Sequence, residues 1–311
     1  MKFVSTQKAK TLSYFQISWI RRDNEAFRLP FTYTAMHGVG HRFAVEVFRR
    51  MGLQPFVTVE NQCTPDPAFP TVAFPNPEEG KGALQSAIET AERHKSLWIF
   101  ANDPDADRLA VAERASIDSP WTLLTGNQMG SILGAFLVEE FLFRNPDVNR
   151  SLIYVIASTV SSKFLKTLAR HHGISFTETL TGFKWIGNKA VDLEREGKKV
   201  LFGYEEAIGF MVGDTVRDKD GISALGILAE LIVQLKKRGS SLTQYLAELS
   251  EKLGWYVTDN SYFLCRDGSK MTAIFDRMRY GVKILKDQVL SQMNTCLLSP
   301  TLRKESTLNI L

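Results

Sequence analysis

The sequence contains little cysteine and no long apolar run, and both shortages restrict the class of protein. Its 311 residues include three cysteines, far apart and without a C-x-x-C pair. A disulfide framework and a cysteine zinc site are therefore not expected, and a reducing compartment such as the cytoplasm fits best. The longest helix-like apolar stretch, residues 132–143, is interrupted by a glycine and two glutamates, whereas a membrane span needs about 20 apolar residues. We therefore predict a soluble protein with no membrane partner.

Acidic residues are missing from the first 22 residues, and the excess of basic charge is concentrated there. Residues 1–30 carry a net charge of +4, so the remaining 281 residues are neutral overall. Nucleic-acid binding needs basic residues clustered across a folded face, and no nucleic-acid partner is expected. Residues 1–30 are predicted to be an atypical leader. Their basic, hydroxyl-rich start partly resembles a mitochondrial presequence, which leaves mitochondrial import as the alternative to a cytoplasmic location.

From residue 31 onward, strand-like and helix-like segments alternate. The composition, 44% hydrophobic and 23% charged, is that of an ordinary globular protein. Alternation of this kind predicts an α/β fold with two tandem doubly wound domains whose sheets are parallel or mixed. The predicted domains are residues 31–144 and 151–265, with a last strand over 255–265. Residues 266–311 are predicted to be an atypical tail.

Two connections in this pattern are predicted to be loops. Residues 61–81 contain five prolines, and a connection of this length is uncommon unless it is functional or mobile. Residues 181–187 form the second loop, and the following helix is predicted to begin at Asn188.

Three carboxylates at alternate positions form the strongest chemical signal. The segment Asn102-Asp103-Pro104-Asp105-Ala106-Asp107-Arg108 directly follows an apolar strand. Open α/β sheets bind ligands at the carboxyl ends of their strands, and oxygen-only ligation selects a hard cation such as Mg²⁺. We predict that Asp103, Asp105 and Asp107 are metal ligands and that Arg108 contacts a phosphate oxygen beside the metal. An acidic surface turn is the alternative.

A calcium-binding EF-hand loop would use the same three aspartates at its first, third and fifth positions. Its sixth position must be glycine and its twelfth glutamate, but Arg108 and Arg114 stand there. The EF-hand interpretation is therefore excluded, and the segment is best explained as a site for a metal and a phosphoryl group.

The segment Asp-Pro-Asp-Ala-Asp-Arg resembles the metal loop of the α-D-phosphohexomutases, the superfamily of phosphoglucomutase and phosphomannomutase. Four further segments resemble motifs of that family in the same order: Thr34-Ala35-Met36-His37-Gly38-Val39-Gly40, Thr181-Gly182-Phe183-Lys184-Trp185, Gly203-Tyr204-Glu205-Glu206-Ala207 and Arg217-Asp218-Lys219-Asp220-Gly221. The proline-rich segments 65–67 and 75–80 are similar to the branch that includes phosphopentomutase and glucose-1,6-bisphosphate synthase. The resemblance extends from about residue 31 to residue 265.

The resemblance implies a role for each matched segment. Glu205 and Glu206 would hold a sugar, because paired carboxylates at a strand end suit sugar hydroxyls. Lys219 is implied in proton transfer or phosphate contact, so the catalytic candidates are Arg108 and Lys219. The other substrate-binding candidates are Lys184, Trp185, His37 and Arg217. Simpler explanations stay open. The two glutamates could belong to a solvated turn, Trp185 could serve packing, and the segment around Lys219 could cap a helix.

The family implies an intramolecular phosphotransferase that acts on sugar 1-phosphates and terminal-carbon phosphates through a phosphoserine, with Mg²⁺ as cofactor and a sugar bisphosphate as activator. Neither a Ser/Thr-x-Ser-His-Asn-Pro-like serine loop nor an Arg-x-Ser-Gly-Thr-Glu-like phosphate clamp occurs in the sequence. The chain therefore resembles the two middle domains of a four-domain mutase, and little turnover is expected from it alone. The expected partners are a phosphosugar and either a full-length mutase or the missing domains.

Two other functions stay open at this point. In a haloacid-dehalogenase-like phosphatase, Asp103 would be the nucleophile and Asp105 the acid/base, with Ser158 and Lys184 in later motifs. Asp107 stands where that family usually has threonine or valine. The third possibility is a non-catalytic remnant that binds a metal or a phosphosugar.

Overall fold

The structure is a computed structural model that describes residues 21–77, 82–259 and 265–280. It divides into two compact units, Met1–Thr258 and Asp259–Leu311. The helices of the first unit are α1 (Arg21–Ala26), α2 (His41–Met51), α3 (Gln85–Arg93), α4 (Gly126–Arg144), α5 (Phe164–His172), α6 (Phe183–Arg195), α7 (Gly221–Lys237) and α8 (Leu242–Leu253). Its strands are β1 (Phe31–Thr34), β2 (Val57–Thr58), β3 (Trp98–Ala101), β4 (Ala110–Glu113), β5 (Thr122–Leu124), β6 (Ile153–Ser158), β7 (Ser175–Thr179), β8 (Lys199–Glu205) and β9 (Gly209–Val212).

The first sheet has the strand order β2-β1-β3-β4-β5. Strand β1 is parallel to β2 and β3, whereas the β3–β4 and β4–β5 pairs are antiparallel. Strands β1, β3 and β4 are buried along their whole length, as expected for central strands covered on both faces. Phe31 packs against Trp98 and Phe100, with ring centroids 5.4 Å and 5.2 Å away. These aromatic contacts form the centre of the core around β1.

The second sheet has the order β7-β6-β8-β9 and is also mixed. Strands β7, β6 and β8 are parallel, and β9 is antiparallel to β8. Helix α4 packs on this sheet and begins with a capping box between Thr125 and Gln128. Gly130 in α4 allows close packing, because a Cβ there would lie 2.4 Å from the ring of Tyr204.

One continuous apolar core contains buried residues from both sheets and from helices α4 and α7. Helix α7 is buried along almost its entire length, which explains why its sequence is apolar on all sides. Asp220 caps it by accepting hydrogen bonds from the backbone of Ile222 and Ser223 at 3.0 and 3.3 Å. The predicted α/β class with two tandem mixed sheets is confirmed.

Several elements differ from the prediction. Strand β9 was not predicted, and helix α6 begins at Phe183 instead of Asn188. Residues 255–259 form no strand, and residues 260–264 lie outside the described residues. In the second unit, helix α9 (Gly268–Tyr280) lies in the predicted tail. The loop predicted over residues 181–187 includes the first turn of α6, and Gly187 lies inside this helix, where a Cβ would come within 2.1 Å of the Arg217 carbonyl oxygen.

Residues 21–30, which were predicted to belong to the leader, contain helix α1. The Asn24 side-chain amide donates to the carbonyl oxygen of Met51 at 2.9 Å, and the ring of Phe27 stacks on Phe31 at 5.4 Å. Residues 1–20 and 281–311 lie outside the described residues. The exact domain boundaries stay predictions. Within the described ranges, no helix is both long enough and apolar enough to cross a bilayer.

Candidate active site

The three aspartates lie in a tight turn directly after β3. Ala106, in the middle of this turn, has a φ of 62°, a conformation that few non-glycine residues adopt. Its backbone N–H donates to the Asp103 carbonyl at 2.9 Å, and its carbonyl accepts from the N–H of Gly221 at 3.1 Å. The turn brings carboxylate oxygens of Asp103, Asp105 and Asp107 within 4.8 Å of one another. The predicted cluster is therefore present in space.

A buried asparagine anchors the start of this metal loop, residues 103–107. The hydroxyl of Tyr33 donates to the side-chain oxygen of Asn102 at 2.9 Å. The side-chain amide of Asn102 donates to the carbonyl of Arg108 and so joins the two ends of the turn. Burial strongly raises the pKa of Tyr33, and the charge of Asp103 adds to this effect, so the phenol remains a hydrogen-bond donor.

The turn between β1 and α2 supports the metal loop from one side. The N–H of Val39 donates to the carbonyl of Pro104 at 2.8 Å. A Cβ at Gly38 would lie 2.3 Å from the Cα and the carbonyl oxygen of Pro104. The backbones approach each other so closely that position 38 requires glycine.

The loop concentrates negative charge around Asp103. The pKa of Asp103 is raised to about 7, chiefly by burial and in addition by the carboxylates of Asp107 and Asp105, against the lowering effect of the Arg108 backbone N–H. That N–H donates to Asp103 Oδ1 at 3.0 Å. A shift of this size indicates a site that favours added positive charge.

Two cationic side chains border the aspartates. The Nζ atom of Lys219 lies 2.8 Å from Asp107 Oδ2. The Nε atom of Arg108 lies 3.8 Å from Asp103 Oδ2 and 3.9 Å from Asp107 Oδ1. Burial lowers the pKa of Lys219, but the hydrogen bond and the charge of Asp107 outweigh it, so the pKa is raised overall. Lys219 is therefore an ammonium group at neutral pH.

The turn between β8 and β9 lies directly beside the metal loop. The N–H of Leu109 donates to the carbonyl of Ile208 at 3.1 Å, and Arg108 pairs with Gly209 as an isolated antiparallel bridge. The predicted acidic pair is at the start of this turn. The structure thus brings the metal loop, Lys219 and the acidic turn together.

Both glutamates of the turn make hydrogen bonds within the protein. Glu205 is the last residue of β8, and its Oε1 accepts from the N–H of Gly182 at 2.9 Å. The Oε2 atom of Glu206 accepts from the hydroxyls of Ser158 and Ser161 at 2.9 and 3.0 Å. Sequence reasoning missed Ser161 and considered Ser158 only for a phosphatase. Ser158 is the last residue of β6 and Ser161 follows it closely, and this position at the carboxyl edge of the sheet is the signal that points to them.

Lys184 and Trp185 were predicted on a loop, but they lie in the first turn of helix α6. Gly182 precedes the helix with a φ of 109°, a value that favours glycine. Both side chains are exposed, Trp185 by 57%. A large exposed aromatic ring at a helix start is available for contact with a ligand.

His37 and Arg217 make contacts away from the aspartates. His37 is buried, and its Nε2 lies 2.8 Å from the hydroxyl of Thr71 in the proline-rich connection. Arg217 forms an ion pair with Glu194 of α6, with Nε 3.2 Å from Oε2. The structure does not bring these two side chains to the metal loop, and their predicted substrate contacts stay predictions.

Comparison with known proteins gives the same family for both halves of the first unit. The profile described as phosphoglucomutase/phosphomannomutase, alpha/beta/alpha domain II, matches residues 8–116, and that for domain III matches residues 125–253. Phosphopentomutase of Homo sapiens is 44% identical over 262 residues, covering 83% of this chain and 42% of the relative. Glucose 1,6-bisphosphate synthase of Homo sapiens is 41% identical over 267 residues, covering 85% of this chain and 42% of the relative. The chain thus spans less than half the length of these curated relatives.

Solved structures give the same fold. Parafusin (phosphoglucomutase) from Paramecium, in an open form, matches with a TM-score of 0.56 at 20% identity, over 82% of this chain and 42% of that chain. A phosphoglucomutase/phosphomannomutase family protein from Burkholderia thailandensis matches with a TM-score of 0.54 at 22% identity, over 71% of this chain and 42% of that chain. The chain belongs to the phosphoglucomutase/phosphomannomutase family and carries its alpha/beta/alpha domains II and III.

Proposed function

We propose that the chain supplies the metal-binding and sugar-binding domains of a phosphosugar mutase. The observation that carries the proposal is the meeting of the aspartate triad, Lys219 and the acidic turn at one edge of the fold. The names of the relatives, phosphopentomutase and glucose 1,6-bisphosphate synthase, support a pentose or hexose phosphate as substrate. The shortage of cysteine supports a cytoplasmic location.

Mg²⁺ is the proposed cofactor, held by Asp103, Asp105 and Asp107. The donor set is all oxygen, and the carboxylate oxygens lie within 4.8 Å of one another. If Mg²⁺ has octahedral ligands at about 2.1 Å, opposite ligand oxygens are about 4.2 Å apart. The carboxylate oxygens are close to this spacing, so small side-chain rotations would let the three aspartates fill three of the six ligand positions. When bound, the ion would neutralise charge on phosphoryl oxygens.

The cationic side chains beside the triad are proposed to bind the phosphoryl group. Lys219 Nζ is within hydrogen-bond distance of Asp107, and it can exchange that contact for a phosphate oxygen. The Arg108 guanidinium lies at 3.8 to 3.9 Å from two of the three carboxylates, and its planar donors suit phosphate oxygens. Both residues stabilise charge on the phosphoryl group as it leaves or arrives.

The acidic turn and the start of α6 are proposed to hold the sugar. The acidic turn supplies a carboxylate for sugar hydroxyls, and Lys184 and Trp185 lie at the start of α6, which the Gly182 N–H joins to Glu205. An exposed indole such as Trp185 suits the apolar face of a sugar ring, and its amphipathic character fits contact with a partly wet ligand. His37 and Arg217 remain proposed contributors to substrate binding from the neighbouring loops.

Transfer of a phosphoryl group also needs the serine that the family resemblance implies, and no matching loop is present in the 311 residues. We therefore propose that turnover requires that serine domain and the phosphate-clamp domain, from a full-length mutase or as separate polypeptides. A sugar bisphosphate, the activator that the family implies, would supply the first phosphoryl group.

The phosphatase alternative would require Asp103 to attack phosphorus. Its Oδ1 accepts a hydrogen bond from the backbone of Arg108, and the family membership of the chain argues for a metal-ligand role instead. The alternative of a non-catalytic binding remnant keeps the same metal and sugar contacts and differs in turnover alone.

Calorimetry with ribose 5-phosphate, in the presence and absence of Mg²⁺, tests the binding function. We expect weak Mg²⁺ binding alone, because three carboxylates leave the octahedron incomplete, and tighter binding of the sugar phosphate when Mg²⁺ is present. Asp105→Asn, at an exposed position, should weaken Mg²⁺ binding by about tenfold or more. Asp147→Asn, also exposed, is the matched control. Identical titrations for wild type and Asp105→Asn would refute the site.

A coupled assay with ribose 1-phosphate or glucose 1-phosphate and a sugar bisphosphate tests the need for the serine domain. We expect little turnover from the chain alone, because the nucleophile is missing, and turnover after addition of a separately produced serine domain. Clear turnover by the rigorously purified chain would contradict this part of the proposal.

A further inference from the structure

Glu206 is held on three sides by groups that have no assigned role. Its Oε2 accepts from the hydroxyls of Ser158 and Ser161, and its backbone N–H donates to Ser161 Oγ at 3.1 Å. Its carbonyl oxygen lies against Gly126, where a Cβ would come within 1.8 Å. The two serines are 1% and 4% exposed. A residue that is hydrogen-bonded at its side chain and backbone N–H, and whose carbonyl packs against Gly126, has little freedom to follow a ligand.

The serine pair can saturate the carboxylate oxygen that it contacts. The two hydroxyl oxygens lie 2.7 Å from each other and 2.9 and 3.0 Å from Glu206 Oε2. The two hydroxyl protons can fill only two of these three oxygen–oxygen contacts. At most one proton lies between the two serines, so Glu206 Oε2 accepts at least one hydrogen bond in every arrangement. When both serines donate to this oxygen, a sugar hydroxyl that donated to it as well would compete with a buried serine hydroxyl, and a displaced hydroxyl would lack its partner.

Glu205 differs from Glu206 in this respect. In the described part of the chain, one donor, the N–H of Gly182, contacts its carboxylate, at Oε1. Glu205 is the last residue of β8, so its backbone direction depends on how the next residue is held. The Gly182 contact also ties the start of α6, with its exposed indole, to the same carboxylate.

We propose that the acidic pair is divided, with Glu205 contacting the sugar and Glu206 acting as a positioning residue that Ser158 and Ser161 clamp. The serine clamp, Ser158 and Ser161, holds the β8–β9 turn, and the turn orients the carboxylate of Glu205. This assignment rests on the proposed function for the sugar contact, but the clamp itself is independent of it.

The clamp is tested without any ligand by amide hydrogen exchange. In a Ser158→Ala/Ser161→Ala double variant, the Gly182 N–H, whose partner is Glu205, should exchange faster by about tenfold or more, because the turn loosens. Glu206→Gln should leave that amide protected, since an amide oxygen accepts from the same two hydroxyls. Ser175→Ala, where a half-buried serine donates to the Ser151 carbonyl, is the control. If the double variant fails to fold, each single alanine variant is measured instead.

The division of roles is tested by titration with ribose 5-phosphate and Mg²⁺. Glu205→Gln should weaken binding by about tenfold or more, and the double serine variant by about fivefold, whereas Glu206→Gln should weaken it far less than Glu205→Gln. Equal losses for the two glutamine variants would mean that Glu206 contacts the sugar, and would overturn the division.

The two experiments separate the two proposals. Unchanged exchange of the Gly182 amide in the serine variants overturns the clamp, whatever the binding result. Absence of ribose 5-phosphate binding by the wild type, together with faster exchange in the serine variants, refutes the proposed function and leaves the clamp supported.

Discussion

The Nζ atom of Lys219 lies 2.8 Å from Oδ2 of Asp107, so a protein cation already contacts one of the three proposed metal ligands. The lysine stem crosses above Gly209, where a Cβ would come within 2.5 Å of Lys219 Cδ, and its ammonium lies 5.6 Å from the ring centre of Phe183. Elements from both sheets therefore fix the position of this charge. Because Lys219 and a metal ion both interact with Asp107, they oppose each other in the absence of phosphate.

We predict opposite effects of Lys219→Gln on two ligands. Mg²⁺ alone should bind about three- to tenfold more tightly, because a neighbouring positive charge is removed. Ribose 5-phosphate with Mg²⁺ should bind about tenfold more weakly, because a charge-assisted hydrogen bond to phosphate is lost. Calorimetry measures both, and Lys166→Gln, an exposed position on α5, is the control. Unchanged Mg²⁺ affinity would argue against competition at Asp107.

Gly38→Ala should damage both the fold and the metal loop. The added Cβ would meet the backbone of Pro104 at 2.3 Å, and backbone cannot move aside as a flexible side chain can. We expect a loss of about 1 to 3 kcal/mol in the free energy of unfolding and weaker Mg²⁺ binding, measured by chemical denaturation and calorimetry. Gly82→Ala is a matched control, since a Cβ at that position would have no atom within 4 Å. Equal stability of both variants would contradict the close contact.

The sequence predicted those parts of the site whose signal is local. Asp103, Asp105 and Asp107 follow one buried strand at alternate positions, so a single turn brings them together. The end of helix α2 is a local signal as well, because Gly52 follows Met51 and adopts the left-handed C-cap with a φ of 74°.

Partners that are distant in sequence were not predictable from such patterns. Ser158 and Ser161 are 48 and 45 residues from Glu206, and nothing in their local sequence indicates that pairing. The start of α6 was predicted five residues too late, and Gly187 inside it shows that a glycine in the sequence can indicate either flexibility or close packing against another segment. The family resemblance implied a substrate contact for His37, which stays a prediction, but its contact with Thr71 lies in a connection whose path the sequence does not determine.

Glu113 lies away from the metal loop, and Glu113→Ala should lower the stability of the fold. The carboxylate, on a residue 2% exposed, accepts from Trp98 Nε1, from the backbone of Leu242 and Thr243, and from the Thr243 hydroxyl, at 3.0 to 3.1 Å. Two of these donors are backbone groups at the start of α8, where negative charge is favourable. Removal leaves several buried donors unsatisfied, and we expect a loss of at least about 3 kcal/mol in unfolding free energy.

The control for this prediction is Glu92→Ala, at an exposed position on α3, which should change the unfolding free energy by less than about 0.5 kcal/mol. Urea denaturation of the three proteins provides the comparison. Similar midpoints for Glu113→Ala and Glu92→Ala would show that the contacts of Glu113 contribute little to stability.

His172 should make stability depend on pH in the weakly acidic range. Its Nε2 lies 3.8 Å from Glu139 Oε1, and Lys252 Nζ lies 3.7 Å from the same oxygen. Burial lowers the pKa of His172, and the nearby positive groups His171, Lys252 and Arg150 lower it further, against the opposing effect of Glu139. The imidazole is therefore neutral in the folded protein at pH values where the unfolded chain already binds a proton.

The sign of the effect follows from this difference in proton binding. Between the ordinary histidine pKa of 6.5 and the lowered value in the fold, the unfolded state binds more protons, so its free energy falls relative to the folded state as pH decreases. Stability should therefore decrease as pH drops through 6.5 and stop decreasing, for this group, below the lowered pKa. His172→Gln removes the titrating group and should flatten the profile of unfolding free energy between pH 7 and pH 5. A wild-type advantage over His172→Gln that grows as pH falls would mean that the pKa is raised in the fold, because a raised pKa gives stability at low pH and loses it as pH increases.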